Sequence, residues 1–294
     1  MTTSSPPTLS LSEFEALIKD IRPELHRYVA HMIGSAVDAE DVVQETLVKA
    51  YDSLALLNPR SNIRGWLFRV AHNKAIDDLR HYTNQPLELL DEYPMTAEPD
   101  QPLEEKELTA LALSVFLKLA PKQRSCVILK DVLGYSLAEI SELLDATVPE
   151  IKAALHRGRT RLRELGKNLE ETTPPLDDHE RELLALYVDR FNARDFDTLR
   201  TLLADEVQLD LVGGVKRLGV AEISDRYFNT YNKLDDWRLA VGRVEGRLVA
   251  LVYNPAEPSS QPAYFILLTW KDSQVSFIRD YRSARYVMRD AQIG

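Results

Sequence analysis

Six basic side chains crowd one short stretch, ATVPEIKAALHRGRTRLRE. Lys152, His156, Arg159 and Arg163 recur at steps of four, three and four, which places them outward on one helical face. Arg157 and Arg161 form a second stripe on the other flank of an apolar seam made by Ile151, Leu155, Leu162 and Leu165. Cations on both sides of a buried seam neutralise phosphates, and side chains near the helix start (Thr147, Pro149, Glu150) reach base edges in a major groove. A solvated basic surface on a structural helix has the same composition.

The elements that must position this face are legible around it. Ser136 with Glu139, and Thr147 with Glu150, have the S/T-x-x-E spacing of reciprocal helix caps. Asp145-Ala146 lies between them, a turn of helix-turn-helix length. Ile140 and Leu143 face inward on the first helix. Further upstream, Ser12 and Glu15 predict another cap, Pro23 a restart into a second helical stretch, Leu25 to Ile33, and Gly34-Ser35 its end. Asp38 to Tyr51 is a helix with Val42, Val43, Leu47 and Tyr51 inward and Asp38, Asp41, Gln44 and Glu45 outward. The helix dipole accounts for acids in its first turn but not for Gln44 and Glu45 beyond it. That patch suits a basic partner. Leu57 to Gly65 reads as a loop, and Trp66 opens the next helix, with Arg69, Asn73, Asp77 and Arg80 outward. Arg60, Ser61, Asn62 and Arg64 beside an aromatic suit the capture of an unstacked base, though a core tryptophan beside a polar loop is the commoner case.

A chain of 294 residues makes two or three domains. Its net charge of −10 excludes a uniformly basic nucleic-acid coat, so DNA binding must be local and, in part, lent by a partner. No apolar run is long enough for a bilayer, and MTTSSPPTLS lacks the layout of a secretion signal, so a cytoplasmic protein is expected. The single cysteine, Cys126, sits in an apolar run and reads as a core thiol. The histidines are scattered and no phosphate-cradling glycine loop occurs, so neither a metal nor a cofactor is expected.

The order LHRYVAHMIGS, DAEDVVQETLVKAY, RSNIRGWLFRVAHNKAIDDLR, then LAPKQRSCVILKDVLGYSLAEISELLDATVPEIKAALHRGRTRLRE resembles a bacterial group 4 sigma factor of the extracytoplasmic-function (ECF) type, over roughly residues 11 to 167. The resemblance implies a sigma region 2 helical bundle at residues 11–83, an acidic linker at 84–105 and a sigma region 4 helix-turn-helix at 106–169. It assigns Asp38, Asp41, Gln44 and Glu45 to core RNA polymerase. It assigns Arg60, Ser61, Asn62, Arg64, Trp66, Arg69, Asn73 and Arg80 to the −10 element of promoter DNA. Thr147, Pro149, Glu150, Lys152, His156, Arg157, Arg159 and Arg161 fall to the −35 element. Many relatives carry serine and arginine where this chain has Ala153 and Ala154. A phosphate or base contact is therefore lost or moved to Lys152 or Arg157. The linker is threaded through the polymerase cleft in relatives, although its prolines and charges equally support a solvated tether.

The chain continues past the point where such factors usually stop. A linker at 170–177 precedes a third domain at 178–294. Two helices (Leu183 to Asn192, Phe196 to Leu203), a strand through Val207, Leu209 and Leu211, a helix to Tyr231 and four alternating strands predict an α+β cone with a curled antiparallel sheet. The stretch is similar to SnoaL-like domains of the nuclear-transport-factor-type fold, which implies regulation of the sigma domains by intramolecular contact. Asp210, Arg226, Tyr227, Trp237, Asp280 and Arg282 are its pocket candidates. No histidine follows His179, so acid/base chemistry there would rest on Asp210 or Asp280. Three functions stay open on these residues: a sigma factor without catalytic residues, a helix-turn-helix regulator sensing a small molecule in the cone, and a cyclase or isomerase fused to a DNA-binding module.

Overall fold

Ser10 opens the first helix, not Ser12: its hydroxyl accepts from the Glu13 amide while the Glu13 carboxylate accepts from the Ser10 amide. Helix α1 (Leu11–Ile33) then runs unbroken through Pro23. The ring removes one backbone hydrogen bond, at a cost of about 3 kcal/mol. Burying Phe14, Ile21, Leu25, Tyr28, Val29 and Met32 on one stripe outweighs it, at about 1.5–3 kcal/mol per side chain. Gly34, at φ 78°, ends α1 in the left-handed conformation.

This computed structural model describes residues 10–53, 62–83, 103, 112–166, 178–256 and 261–294. The chain divides into two compact units, Met1–Glu170 and Glu171–Gly294.

In the first unit, α1 packs with α2 (Ala36–Asp52) and α3 (Ile63–Thr83) as a three-helix bundle. Helix α3 starts three residues before Trp66, because the Asn62 side chain accepts from the Gly65 amide at 2.8 Å and caps it. Tyr51, expected inward, is 44% exposed; its ring stands at right angles to that of Phe14 and its hydroxyl donates to Glu15 at 3.0 Å. Helices α4 (Leu113–Phe116), α5 (Pro121–Val127), α6 (Leu137–Leu144) and α7 (Val148–Gly166) form the second bundle, with a π-helical turn, Ile128–Val132, after α5. Cys126 is buried there, which pushes its thiol up to about 12.

The second unit begins with α8 (Asp178–Asn192) and α9 (Phe196–Thr201). Leu203, expected in the helix, starts strand β1 (Leu203–Leu211), and a short β2 (Lys216–Leu218) follows. A continuous helical run, α10 (Val220–Glu222), a π-helical turn Ile223–Phe228 and α11 (Asn229–Lys233), precedes β3 (Arg238–Val244), β4 (Arg247–Tyr253), β5 (Tyr264–Lys271) and β6 (Gln274–Asp280). The sheet order is β2-β1-β6-β5-β4-β3. The sheet is mixed, not antiparallel throughout: β1 and β6 pair parallel and place Leu209 beside Ile278 and Leu211 beside Asp280. The reason is connectivity, since β1 lies between its successor β2 and the last strand, β6, and runs in the same direction as β6. Both predicted hairpin turns form, with Glu245-Gly246 and Asp272-Ser273 at positive φ, which matches the twist of the strands they join.

Candidate nucleic-acid interface

Both helix-turn-helix caps form as their spacing predicts. Ser136 and Glu139 exchange bonds at the start of α6. At the start of α7 the Glu150 carboxylate accepts from the Thr147 amide at 2.8 Å and from its hydroxyl at 2.9 Å. These bonds hold the Glu139 and Glu150 carboxyls below their usual range. Asp145 ends α6 at φ 50°, and the Ser141 hydroxyl donates to the Ala146 carbonyl at 2.6 Å, which fixes the turn.

Helix α7 buries Ile151, Ala154, Leu155, Gly158 and Leu162. A Cβ on Gly158 would lie 2.7 Å from Val127 Cγ2, so glycine sets the close approach of α7 to α5. Arg159 is a correction to the outward face. It is 3% exposed, and its Nε and Nη2 donate to the two Asp131 carboxylate oxygens at 2.8 and 2.6 Å. Position 159 follows Leu155 by four and precedes Leu162 by three, so it shares their stripe. A cation is tolerated on that stripe because Asp131, on the π-helical turn, meets it with a two-point fork. Leu165, placed in the seam, is only half-buried. Thr147, Pro149, Glu150, Lys152 and Arg161 are exposed, and His156 and Arg157 are half-buried. What α7 offers to solvent is thus a narrower basic face than its sequence implies, with Lys152 and Arg161 as its exposed cations.

On the first bundle, Asp41 and Glu45 are exposed, and Asp38 and Gln44 are half-buried, along one side of α2. Glu45 is not simply solvated: Lys74 of α3 bridges it at 2.8 Å and Asp78 at 3.0 Å. Those two carboxylates hold the Lys74 ammonium well above its ordinary range. Glu45 and Lys74 line a small cleft of about 190 Å3 with Asn73 and Asp77. Asn62, Arg69 and Asn73 are exposed and Trp66 half-buried. Arg64 is engaged. Its Nη2 pairs with Glu24 and its Nε donates to the Tyr135 hydroxyl at 3.0 Å. Arg60, Ser61, the side chain of Arg80, residues 1–9, the 170–177 linker and the acidic linker apart from Leu103 lie outside the described residues. Leu103 is buried.

The pocket candidates of the second unit do not converge. Asp210 pairs in register with Arg279, whose Nε and Nη2 donate to one Asp210 oxygen at 3.2 and 3.1 Å. Asp210 lines a cleft of about 610 Å3 with Gln208, Lys216, Arg217 and Phe277. Asp280, one residue beyond Arg279, points to the opposite face of the sheet. Arg226 is exposed. Asp280, Tyr227, Trp237 and Arg282 do gather. The Tyr231 hydroxyl donates to Asp280 Oδ2 at 2.6 Å, and the Arg282 amide donates to Oδ1 at 2.7 Å. The Arg282 fork donates to the Tyr264 hydroxyl at 2.8 Å and to Asp236 at 2.5 Å. The Trp237 indole donates to the Tyr231 carbonyl at 3.0 Å. Burial raises the Asp280 carboxyl against these donors, and burial beside Asp280 pushes Tyr264 up to about 12. Tyr231 and Tyr264 are the residues that sequence reasoning missed. Tyr227 and Tyr231, four apart on one helical run, were the available signal.

Two family descriptions match this chain: sigma-70 region 2 over residues 17–85 and sigma-70 region 4 over residues 110–162. The RNA polymerase sigma factor CarQ of Myxococcus xanthus is 30% identical over 165 residues, which span 53% of this chain and 91% of CarQ. The chain belongs to the ECF RNA polymerase sigma factors. This sigma factor is also 28% identical over 221 residues to the ECF RNA polymerase sigma factor SigG of Mycobacterium tuberculosis. That match covers 66% of the chain and spans 60% of the relative's length. The crystal structure of the Mycobacterium tuberculosis extracytoplasmic function sigma factor SigJ aligns over 92% of this chain and 95% of its own, at 21% identity and a TM-score of 0.35. The region 2 match falls on the three-helix bundle and the region 4 match on the bundle of α4 to α7. The second unit places two helices before a six-stranded mixed sheet, and the first of them packs on β3 and β4. Among the described residues no helix is long and apolar enough to cross a membrane.

Proposed function

We propose that this sigma factor binds core RNA polymerase and directs promoter-specific initiation. The observation that carries the reading is the capped helix α7, buried on one side and basic on the other, in a chain of sigma-factor family. In this reading Lys152, His156, Arg157 and Arg161, with Thr147, Pro149 and Glu150, contact the −35 element, and Arg159 holds α7 in place without touching DNA. Asn62, Arg64, Trp66, Arg69 and Asn73, with Arg60, Ser61 and Arg80, serve the −10 element. Asp38, Asp41, Gln44 and Glu45 dock on the polymerase. The net charge of −10 supports a factor whose DNA affinity is completed by a partner. The protein works in the cytoplasm without a cofactor, catalyses no reaction, and carries its own regulator in the SnoaL-like domain, which acts by contact with the sigma domains.

The test mixes the purified chain with catalytic core polymerase, follows association by gel filtration and sequences the 5′ ends of transcripts made from genomic DNA of the same source. A stable complex and discrete start sites are expected. Failure to associate, with and without residues 171–294, overturns the reading. Unchanged start sites and unchanged polymerase affinity after that deletion discard the regulatory role alone.

A further inference from the structure

Two sets of residues proposed above for different partners meet in one cleft. Glu45, of the polymerase set, lies on α2, and Asn73, of the −10 set, lies on α3. Both line the cleft of about 190 Å3 between these helices, and so does Lys74, which neither set includes. The Lys74 ammonium spans the two helices. It lies 2.8 Å from Glu45 Oε2 and 3.0 Å from Asp78 Oδ1, one turn along its own helix. The Glu45 side chain is 62% exposed and that of Lys74 34%, so a partner can reach the first while the second stays in the cleft. Asp41, Glu45 and the exposed Val48 follow one another at steps of four and three, so they share one outward face of α2. The helices do not need Lys74 as a bolt. Val43 and Leu47 of α2 and Leu67 and Ala71 of α3 are buried, and an exposed ion pair adds little to such packing.

We infer that Lys74 is a further determinant of promoter binding, a cation that Glu45 holds in the free chain and releases to a −10 phosphate once polymerase has taken Glu45. The inference rests on the sigma-factor reading above and names how its two interfaces are coupled. A partner that docks on Asp41 and Glu45 is basic, and it brings its own cations beside Lys74. Lys74 then loses one counter-charge and gains a like charge. Only Asp78 still holds it, through a pair four residues apart that is weak at a surface. An ammonium on a flexible four-carbon stem turns away from a like charge and binds a phosphate as a point charge. Asn73, its exposed neighbour in the chain, marks the side on which the −10 strand lies. The exchange also serves a chain of net charge −10, because it adds a cation to the DNA face only when the polymerase is present.

The test uses the full chain, core polymerase and a fluorescent fork promoter built from the mapped start sites. Lys74→Met keeps the length of the side chain and removes its charge. It is expected to tighten polymerase affinity about twofold to fivefold, the range of an exposed ion pair, because nothing then competes for Glu45. The Lys74→Met holoenzyme is expected to bind the fork more weakly. Its slope of log affinity against log salt should shrink by about 0.7 to 0.9, the share of one phosphate. Lys74→Gln, neutral and polar, should give the same two shifts, and Lys74→Arg should restore the slope. Damage to the bundle would instead weaken polymerase binding. In a Glu45→Gln background, Lys74→Met should leave polymerase affinity where Glu45→Gln alone puts it. Polymerase affinity that both neutral variants leave unchanged or weaken overturns the inference, and so does an unchanged salt slope. Those results stand apart from failure of the sigma reading, in which the wild-type chain never associates with core polymerase.

Discussion

Both units bury ion pairs, Arg159 with Asp131 in the first and Arg279 with Asp210 in the second, but the charge that each buries on neutral groups has opposite sign. In the first it is Arg124, on three carbonyls. In the second it is the Asp280 carboxylate, on a tyrosine hydroxyl and a backbone amide, with the Arg282 fork reaching it through Tyr264 and Tyr231. An arginine has five donors in a rigid fork and can fasten several elements at once. A carboxylate only accepts, so its neighbours must be donors, and tyrosines provide them from apolar rings that also fill the core. The first arrangement serves a unit built of short helices that must be fixed to one another. The second serves a sheet that is already held by its ladders.

The largest effect should come from removing one half of a buried pair. Arg159→Ala leaves Asp131 charged and alone and should cost the first unit about 3–5 kcal/mol. Urea unfolding followed by far-UV circular dichroism should show the first unit melting earlier and the second unchanged. An Arg159→Ala protein of wild-type stability with weakened DNA binding would return Arg159 to the basic face. Asp280→Ala should cost the second unit about 1–3 kcal/mol by orphaning the Arg282 amide and leaving the Tyr231 hydroxyl only its bond with Tyr264, without moving the first transition. Gly158→Ala follows, at about 1–3 kcal/mol from overpacking against Val127, read by the same unfolding experiment.

Acid should separate the units next. Burial holds His72 of α3 below its ordinary 6.5, so the unfolded chain binds the extra proton first. The stability it confers is complete above about 6.5 and declines as pH falls through its lowered value. Asp280 is raised above its ordinary 3.8, so there the folded state holds the extra proton. Its burial penalty is absent below 3.8 and grows as pH rises through the raised value, so mild acid relieves it. Thermal melts from pH 7 to pH 5 should move the transition of the first unit down relative to that of the second. A His72→Gln variant that keeps the whole shift removes His72 as its source. The smallest stability effect should be Lys152→Ala, within about 0.5 kcal/mol, because the side chain is exposed. Its promoter affinity as holoenzyme should nonetheless fall, and the salt dependence should lose about one ion of slope.

Much of the fold was legible because its signals are local. The Ser136 and Thr147 caps, the Asp145 turn and the two hairpin turns depend on residues three or four apart, and all formed. The last four strands were read nearly to their ends, whereas β1 begins four residues before Val207 and β2 was not foreseen. What misled was competition between a local signal and a distant one. Pro23 carries a break signal, and the buried stripe of α1 overrode it. Arg159 is a cation by type, and its position on the Leu155 stripe decided its fate. Asp210 and Asp280 were both candidates for one pocket, and strand alternation with the β1–β6 register sent them to opposite faces.

By itself, the chain of residues determined most of its helices and strands and which family their order belongs to, since capping and periodicity act over one or two turns. Tertiary structure alone decided which charges are spent inside. Arg64 meets Tyr135 across 71 positions and Arg124 meets Met32 across 92. No periodicity reaches that far; only the packing of separate helices makes a partner of a residue so distant.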